Sequence, residues 1–268
     1  MINWLEEINL EATGPAISMG VRKLGDRPWL VTDDCMVEEL ALKAELSKDK
    51  TREVFLASED TQDAGDIVLS LIEKNGIQLT GMECNHPLEK AGLSVQEDLC
   101  LMQRTAGGWV LKGASLSFPS RWQLHKKIGM NLSSIHGPVE GYEKNLSKKV
   151  DNFFDRLGNE PVWRRNWFIH PDNSLHQPQR PLNGDPIIKF NQIGEKLFVR
   201  SERQTLKLLD IPGWMLFTIR VQRTPLKNLL LARQEEFKKW IFEAPETHHD
   251  HKGLVAEQVD EIQKAFVN

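Results

Sequence analysis

Histidines are the most versatile chemical groups in this sequence, because a neutral imidazole binds metal ions and also transfers protons near neutral pH. The eight are His86, His125, His136, His170, His176, His248, His249 and His251. The last three belong to an HHDH motif with the ligand types of a transition-metal site, but the polar stretch around it favours a solvated cluster. The three cysteines are Cys35, Cys84 and Cys100. Their wide spacing without a CxxC pattern argues against both a disulfide framework and a zinc cluster.

The composition limits the class of protein. The chain has 268 residues, of which 40% are hydrophobic and 27% charged, so it can bury a sizeable core. Its net charge of −4 provides no positive field for nucleic acid, and we expect no such partner. No apolar run approaches the roughly 18 residues that cross a bilayer, and the first thirty residues lack a secretory pattern. We therefore expect a cytoplasmic protein with no membrane association.

Helical spacing of apolar residues dominates the first hundred residues. It predicts helices over 36–50, 63–75 and 87–101. None of these stretches carries a chemical motif. We therefore expect this part to be mostly helical and to support a site that is formed elsewhere.

The pattern changes to alternation at Gly107. Strands are predicted over 107–122, 162–169, 197–203 and 213–223. The proline- and asparagine-rich stretch from 170 to 186 predicts a long loop, and loops of that length are often functional. Further helices are expected over 140–157, 204–209 and 225–242, followed by a polar tail from 244 with one short helix.

Four segments combine this alternation with histidine, arginine and tryptophan in a fixed order. They are RWQLHKKIGMNLSSIHGPVEGY at 121–142, PVWRRNWFI at 161–169, LFVRSERQTLKLL at 197–209 and GWMLFTIRVQRTPL at 213–226. In this order and spacing they resemble the alpha-subunit family of haem-dependent oxidative N-demethylases. SMGVRKLGDRPWLVTDD at 18–34 and QEDLCLM at 96–102 are also similar to that family, so the resemblance spans about residues 18–240.

The resemblance implies an α+β fold, in which a PAS-like antiparallel sheet flanked by helices holds a non-covalent haem b. It implies one domain over 1–243, helical in 1–106 and strand-rich in 107–243, with a polar tail over 244–268. In the family's activity, O2 and electrons oxidise a methyl group of a small methylated amine such as dimethylamine, and formaldehyde is released. A separate flavin and iron–sulfur reductase subunit supplies the electrons, which agrees with the lack of a nucleotide-binding motif in this sequence.

The resemblance also requires an axial donor for the haem iron, and a neutral histidine is the commonest one. His136 is the first candidate, because an apolar residue precedes it and a Gly-Pro turn follows, which holds the imidazole against a flat apolar cofactor. His125 is the second candidate. A Cys100 thiolate stays open as an alternative, although its apolar surroundings are typical of a core residue. The lack of a CxxCH motif argues against covalent attachment.

Haem propionates are carboxylates and bind best to cations, arginine above all. The candidates are Lys127, Arg164, Arg165, Arg200 and Arg203. Arg164 and Arg165 are neighbours on a predicted strand, so at most one of them faces a given pocket. Arg200 and Arg203 fit structural ion pairs with Glu202 or Glu195 equally well.

Aromatic residues are candidates for contacts to O2 and to the amine. Tyr142, the only tyrosine, is the candidate hydrogen-bond donor in the pocket. A small cationic amine also binds aromatic faces. Tryptophans in the matching segments are Trp122, Trp163, Trp167 and Trp214. For each single tryptophan, core packing is the simpler interpretation.

Two alternatives to a demethylase stay open at this point. One is a non-catalytic PAS-like sensor or accessory protein that binds haem or another small molecule. The other is a cofactor-free interaction protein, in which the histidines and arginines form structural hydrogen bonds and ion pairs.

Overall fold

The computed structural model describes residues 3–13, 20–136 and 152–267 and shows one seven-stranded sheet with helices on it. The strands are β1 (Arg22–Lys23), β2 (Phe55–Ala57), β3 (Asp98–Thr105), β4 (Gly108–Ser115), β5 (Val162–His170), β6 (Phe198–Leu208) and β7 (Trp214–Pro225). Their order in the sheet is β1-β5-β6-β7-β3-β4-β2, and all neighbours are antiparallel. The predicted α+β class is confirmed.

The α-helices lie before, between and after the strands. They are α1 (Met36–Asp49), α2 (Thr51–Val54), α3 (Gln62–Lys74), α4 (Pro87–Gly92), α5 (Leu132–His136), α6 (Ile193–Lys196), α7 (Leu226–Glu243), α8 (Glu246–His251) and α9 (Ala256–Lys264). The first 106 residues also contribute β1, β2 and β3, so this part mixes helices with strands. Among the described residues, no helix is long and apolar enough to cross a membrane.

The predicted helix over 204–209 is wrong, because this stretch continues β6 as far as Leu208. Thr205 lies opposite Thr218 of β7, and their hydroxyl oxygens are 2.6 Å apart. Pairing with the neighbouring strand thus outweighs the helix-like spacing of the leucines, as is common where both faces of a strand are covered.

The predicted helix over 87–101 is correct only in its first part, because α4 ends at Gly92 and β3 begins at Asp98. The predicted helix over 140–157 lies mostly outside the described residues, and 152–155 are helical.

The side of the sheet that α3, α4 and α7 cover is the helix face. Two apolar clusters form on it. One joins Trp167 of β5 to Phe237 of α7, and the other joins Leu101 of β3 to Leu88 of α4. Removing such apolar surface from water contributes roughly 25 cal/mol per Å², so long amphipathic helices stabilise this face.

The opposite side is the loop face. The chain between β4 and β5 and the loop after β5 cover most of it, and Leu46 of α1 adds to this cover. A third apolar cluster joins Leu124, Leu132 and Leu175 of these segments to strand residues such as Met215. The described part of the first matching segment, residues 121–136, therefore lies on this face.

The polar C-terminal stretch folds back onto the protein. Leu254 and Ile262 are buried with α7, and the His249 ring lies edge-on to Trp240 with the ring centroids 4.9 Å apart. His248 and His249 are both buried. The expectation that the HHDH motif is solvated is therefore wrong, because packing of α8 against Trp240 removes two of its imidazoles from water.

Candidate functional site

Alternation along β5 places the two adjacent arginines on opposite faces. Val162 belongs to the loop-face cluster and Trp167 to a helix-face cluster. Even-numbered residues of β5 therefore point to the loop face, and odd-numbered ones to the helix face. Arg164 lies on the loop face and Arg165 on the helix face.

Arg165 and Arg203 form hydrogen bonds within the helix face. Arg165 donates to the Glu7 carboxylate, the Ser201 hydroxyl and the Gln222 side-chain carbonyl at 2.8 to 3.0 Å. Arg203, opposite Arg165 in the register, donates to two backbone carbonyls of the stretch after β1. These guanidinium groups hold amino-terminal segments against the sheet.

Arg200 is buried on the loop face and binds the loops that border it. It donates to the Ser120 hydroxyl and to backbone carbonyls of 118–119 and 174–175 at 2.8 to 3.2 Å. On β3, the Asp98 carboxylate accepts the amides of 117–118 at 2.8 and 2.9 Å. One cation and one carboxylate of the sheet thus fix the chain directly before the matching segment at 121–142.

His170, at the end of β5, is a buried neutral imidazole. Its Nδ1 lies 3.1 Å from Oε1 of Gln177. Burial, followed by the positive charges of Arg121 and Arg200, lowers the pKa of His170 to about 3. The imidazole therefore stabilises the loop after β5 without carrying charge at neutral pH.

Arg164 differs from the other strand arginines because its guanidinium has no hydrogen-bond or ion-pair partner within the described parts of the chain. Its Nε atom is buried. Burial lowers the pKa of Arg164, although Glu202 on the adjacent strand raises it. A buried donor without an acceptor costs about 1–3 kcal/mol, and more when it is charged. This position therefore suits an anionic group of a ligand.

Arg164 also lies at a boundary between apolar and polar rows of the loop face. The apolar cross-strand rows are Val162–Leu206–Phe217–Cys100 and Leu208–Met215–Met102–Leu111. On the other side of Arg164, the next row pairs Asn166 with Glu202. The apolar rows lie under Leu124, Leu132 and Leu175 of the loop-face cluster, and Arg164 lies at their rim. A cation at the rim of an apolar region suits a ligand that carries carboxylates on one edge.

A second cation reaches this boundary from the C-terminal stretch. The Ile169 amide donates to the Lys252 carbonyl at 2.8 Å, so the chain after α8 runs along the edge of β5. The Lys252 ammonium donates to Oδ1 of Asn166 at 3.2 Å. Burial and the charge of Arg164 lower the pKa of Lys252 to about 8, although Glu202 raises it.

The described part of the segment at 121–142 crosses the loop face towards β4 and includes α5. His125 lies in a short 3-10 turn and is exposed. The Lys127 ammonium donates to the Ile135 carbonyl at 2.5 Å, and burial lowers its pKa. His136 is the last residue of α5, which lies beside β4. Lys127 thus stabilises the turn of chain that leads directly to His136.

Most tryptophans of the matching segments are core residues. Those buried on the helix face are Trp163, Trp167 and Trp214. Only Trp122 packs against the loop-face cluster, where it is half-buried. Core packing, the simpler interpretation of these side chains, accounts for the three buried ones.

The remaining candidates are Cys100 and Tyr142. Cys100 is buried in β3, and burial raises the pKa of its thiol, which disfavours a thiolate ligand. The sequence predicts a helix around Cys100, but the residue lies in a strand. Tyr142 lies outside the described residues. Within the described residues, no group of three histidine, cysteine or carboxylate side chains is close enough to hold a metal ion.

Comparison with known families adds the decisive observation. A family model described as "Haem-dependent oxidative N-demethylase, alpha subunit-like" matches residues 61–259. The chain belongs to this family. The match includes both Arg164 and Lys252 and continues past 240 into the C-terminal stretch. A search of curated proteins finds no match.

The loop face fits the group that the family description names. Haem has an apolar ring with two propionates on one edge, and those carboxylates bind best to arginine and lysine. The loop-face cluster has the apolar chemistry of the ring, and the cations at its rim match the propionates.

Three residues at this rim escape sequence reasoning. A sequence pattern does indicate Asn166 and Glu202. Asn166 is two residues after Arg164 on β5 and therefore points to the same face, and Glu202 lies opposite Asn166 on β6. No sequence pattern indicates Lys252, since a backbone contact with a strand distant in sequence brings it to the rim.

Proposed function

We propose that this protein binds haem b on the loop face and acts as a haem-dependent oxidative N-demethylase. The observation that carries the proposal is the Arg164 guanidinium, which has no acceptor among the described residues, whose Nε atom is buried and which borders apolar rows of the loop face. The family description supports the choice of haem. We also propose that the antiparallel sheet is PAS-like and forms the platform under the cofactor.

The proposed axial ligand is His136, with His125 as the alternative. His136 ends a helix on the loop face, whereas His125 is exposed and less suited to an apolar ring. Lys127 holds the carbonyl next to His136 and so positions it. Tyr142 is the proposed hydrogen-bond donor to O2 or to the amine.

The propionate contact is assigned to Arg164. Arg165 and Arg203 project to the helix face, where protein groups accept their hydrogen bonds. Arg200 lies on the loop face, but its donors bind the bordering loops, so its role is to shape the pocket.

When bound, haem supplies the activation of O2. The chain supplies an apolar floor that excludes water, a cation that orients the cofactor, and a hydrogen-bond donor near the reacting atoms. The proposed substrate is a small methylated amine, which loses a methyl group as formaldehyde. The alpha-subunit description and the lack of a nucleotide motif support a separate flavin and iron–sulfur reductase as electron donor.

The first test is the absorption spectrum of the protein expressed with added haem. We expect a Soret band that shifts or disappears in His136→Ala. A wild-type protein that folds but shows no Soret band would contradict the proposal. An unchanged band in His136→Ala would show that another residue is the axial ligand. His125→Ala would then be measured in the same way.

The second test addresses Arg164. Loss of one hydrogen bond to a charged group costs about 1.5–3 kcal/mol, so Arg164→Gln should raise the haem Kd about 10- to 100-fold. Arg52→Gln, which removes the same charge from an exposed position, is the control and should leave the Kd unchanged. Equal affinities of the two variants would remove Arg164 from the site.

The third test measures formaldehyde release from dimethylamine with a supplied reductase. Turnover in the wild-type protein, lost in His136→Ala, supports the demethylase. Haem binding without formaldehyde release from dimethylamine or other small methylated amines favours the non-catalytic sensor or accessory protein.

A further inference from the structure

We propose that Lys252 is a second anchor for the haem propionates beside Arg164, which makes the C-terminal stretch after α8 part of the cofactor site. This inference rests on the proposed function. It adds a residue from a part of the chain that the sequence predicts to be a polar tail.

The backbone around Lys252 is fixed. Its carbonyl accepts the Ile169 amide at 2.8 Å. Gly253 follows with φ +84°, a conformation that residues with a Cβ rarely adopt. A Cβ at Gly253 would also lie 3.2 Å from the Ile169 carbonyl oxygen, so the close approach to β5 requires glycine. The direction of the Lys252 side chain is therefore set by the edge of the sheet.

The ammonium group is only partly satisfied by the protein. Oδ1 of Asn166, 3.2 Å away, is its one hydrogen-bond acceptor among the described residues. The Trp167 ring centroid lies 5.0 Å from Nζ and adds a cation–π contact. An ammonium has three donors, so two of them are available to a ligand oxygen.

The charges around the ammonium do not balance. Arg164 on β5 and Lys252 bring two positive charges to the rim, and Glu202 on β6 brings one negative charge. The Glu202 carboxylate already accepts the side-chain amide of Gln204 at 2.8 Å. His170, which borders Gly253, is neutral at physiological pH. One additional carboxylate would neutralise the cluster.

This imbalance predicts a pH dependence of haem affinity. In the free protein, burial and Arg164 lower the pKa of Lys252 to about 8. A bound propionate would stabilise the ammonium and raise that pKa, so binding takes up a proton above about pH 8. The affinity for haem should therefore decrease as the pH rises past about 8.

The experiment measures haem dissociation from the holoprotein to an excess of apomyoglobin between about pH 7 and pH 9.5, a range chosen around the lowered lysine pKa. Lys252→Gln should lose haem about tenfold faster than wild type at pH 7, because one charge-assisted hydrogen bond is removed. The difference should shrink as the pH rises towards 9.5. Lys239→Gln, an exposed lysine on α7, is the matched control and should behave like wild type.

Lys252→Arg keeps the inference testable if Lys252→Gln folds poorly. Arginine stays charged throughout this range, so this variant should retain haem and lose the pH dependence. Identical dissociation rates and pH profiles for wild type, Lys252→Gln and Lys252→Arg would overturn the inference. A wild type without haem would instead fail the proposed function. Haem loss in Arg164→Gln with none in Lys252→Gln would refute the second anchor alone.

Discussion

Arg164 and Arg165 are adjacent in the chain, but their surroundings differ. Arg165, on the helix face, is 3% exposed and has acceptors on three other side chains. Arg164, on the loop face, has no acceptor in the described parts of the chain. A buried charge with partners holds a structure together, whereas one without partners costs stability unless a ligand compensates it. The two faces of this sheet therefore serve different purposes.

The helix face extends this contrast through a network around Arg220. Arg220 is 1% exposed and bonds the Asp33 carboxylate at 2.7 Å and the Glu39 carboxylate at 2.9 Å. Gln96 donates to both carboxylates at 2.9 and 2.7 Å. Each charge of this network has a partner, which is typical of a structural role.

Disruption of the Arg220 network should have the largest effect on the free energy of unfolding. Arg220→Met leaves two largely buried carboxylates without their cation and should lower the free energy of unfolding by about 4 kcal/mol. Arg223→Met, on the same strand but exposed, should change it by less than about 0.5 kcal/mol. Urea unfolding of both variants measures the difference. Similar losses would mean that the network does not stabilise the helix face.

The adjacent arginines give the most direct comparison. Arg165→Met should lower the free energy of unfolding of the haem-free protein by about 3 kcal/mol, because Glu7 keeps only Arg27 as a cationic partner and the bonds to Ser201 and Gln222 are lost. Arg164→Met should leave it unchanged or raise it, since the substitution removes an unsatisfied buried charge at similar volume. Thermal unfolding of the two haem-free variants tests this, and a larger loss in Arg164→Met would reverse the assignment of the faces.

Close packing of the helix face predicts a smaller effect. A Cβ at Gly92, the last residue of α4, would collide with Oγ and Cβ of Ser115 on β4. Gly92→Ala should therefore cost about 2 kcal/mol through overpacking. The double variant with Ser115→Gly should recover part of this loss. Additive losses in a double-mutant cycle would show that the two residues are not in contact.

The smallest effect near neutral pH concerns His170 on the loop face. Its pKa is about 3 in the folded protein and near 6.5 when unfolded, so protons bind preferentially to the unfolded chain between these values. Its contribution is fully present above about pH 6.5 and is lost as the pH falls towards 3. Wild type should therefore lose up to about 1 kcal/mol per pH unit more than His170→Gln in this window. Parallel stability curves would refute this.

The sequence predicts the strands best where alternation is complete. In the VWRRNWFI stretch, Val162 belongs to the loop-face cluster and Trp167 and Ile169 to a helix-face cluster, as alternation requires, and β5 covers the stretch. The second half of β6 is predicted wrongly, because no local pattern in the sequence indicates its pairing with β7. The C-terminal stretch is polar in composition, yet Leu254 and Ile262 are sufficient to attach it to the core.

The candidate site is predictable only in part. Strand alternation separates Arg164 from Arg165, but it does not show which face is filled by long helices and which by loops. Arg200 is an attractive propionate partner in the sequence, and only the fold shows that loop carbonyls accept its hydrogen bonds. The role of Lys252 depends on a backbone contact, for which side-chain patterns provide no information.

The backbone contact between Lys252 and Ile169 has a consequence for solubility. Among the described residues, β1 pairs with β5 at Val162 and Trp163, and the Lys252 carbonyl accepts the Ile169 amide further along the same edge. An uncovered strand edge is a template for strand addition between molecules. By covering the edge at Ile169, the C-terminal stretch should hinder such strand addition. A chain shortened before α8 should therefore self-associate even without haem.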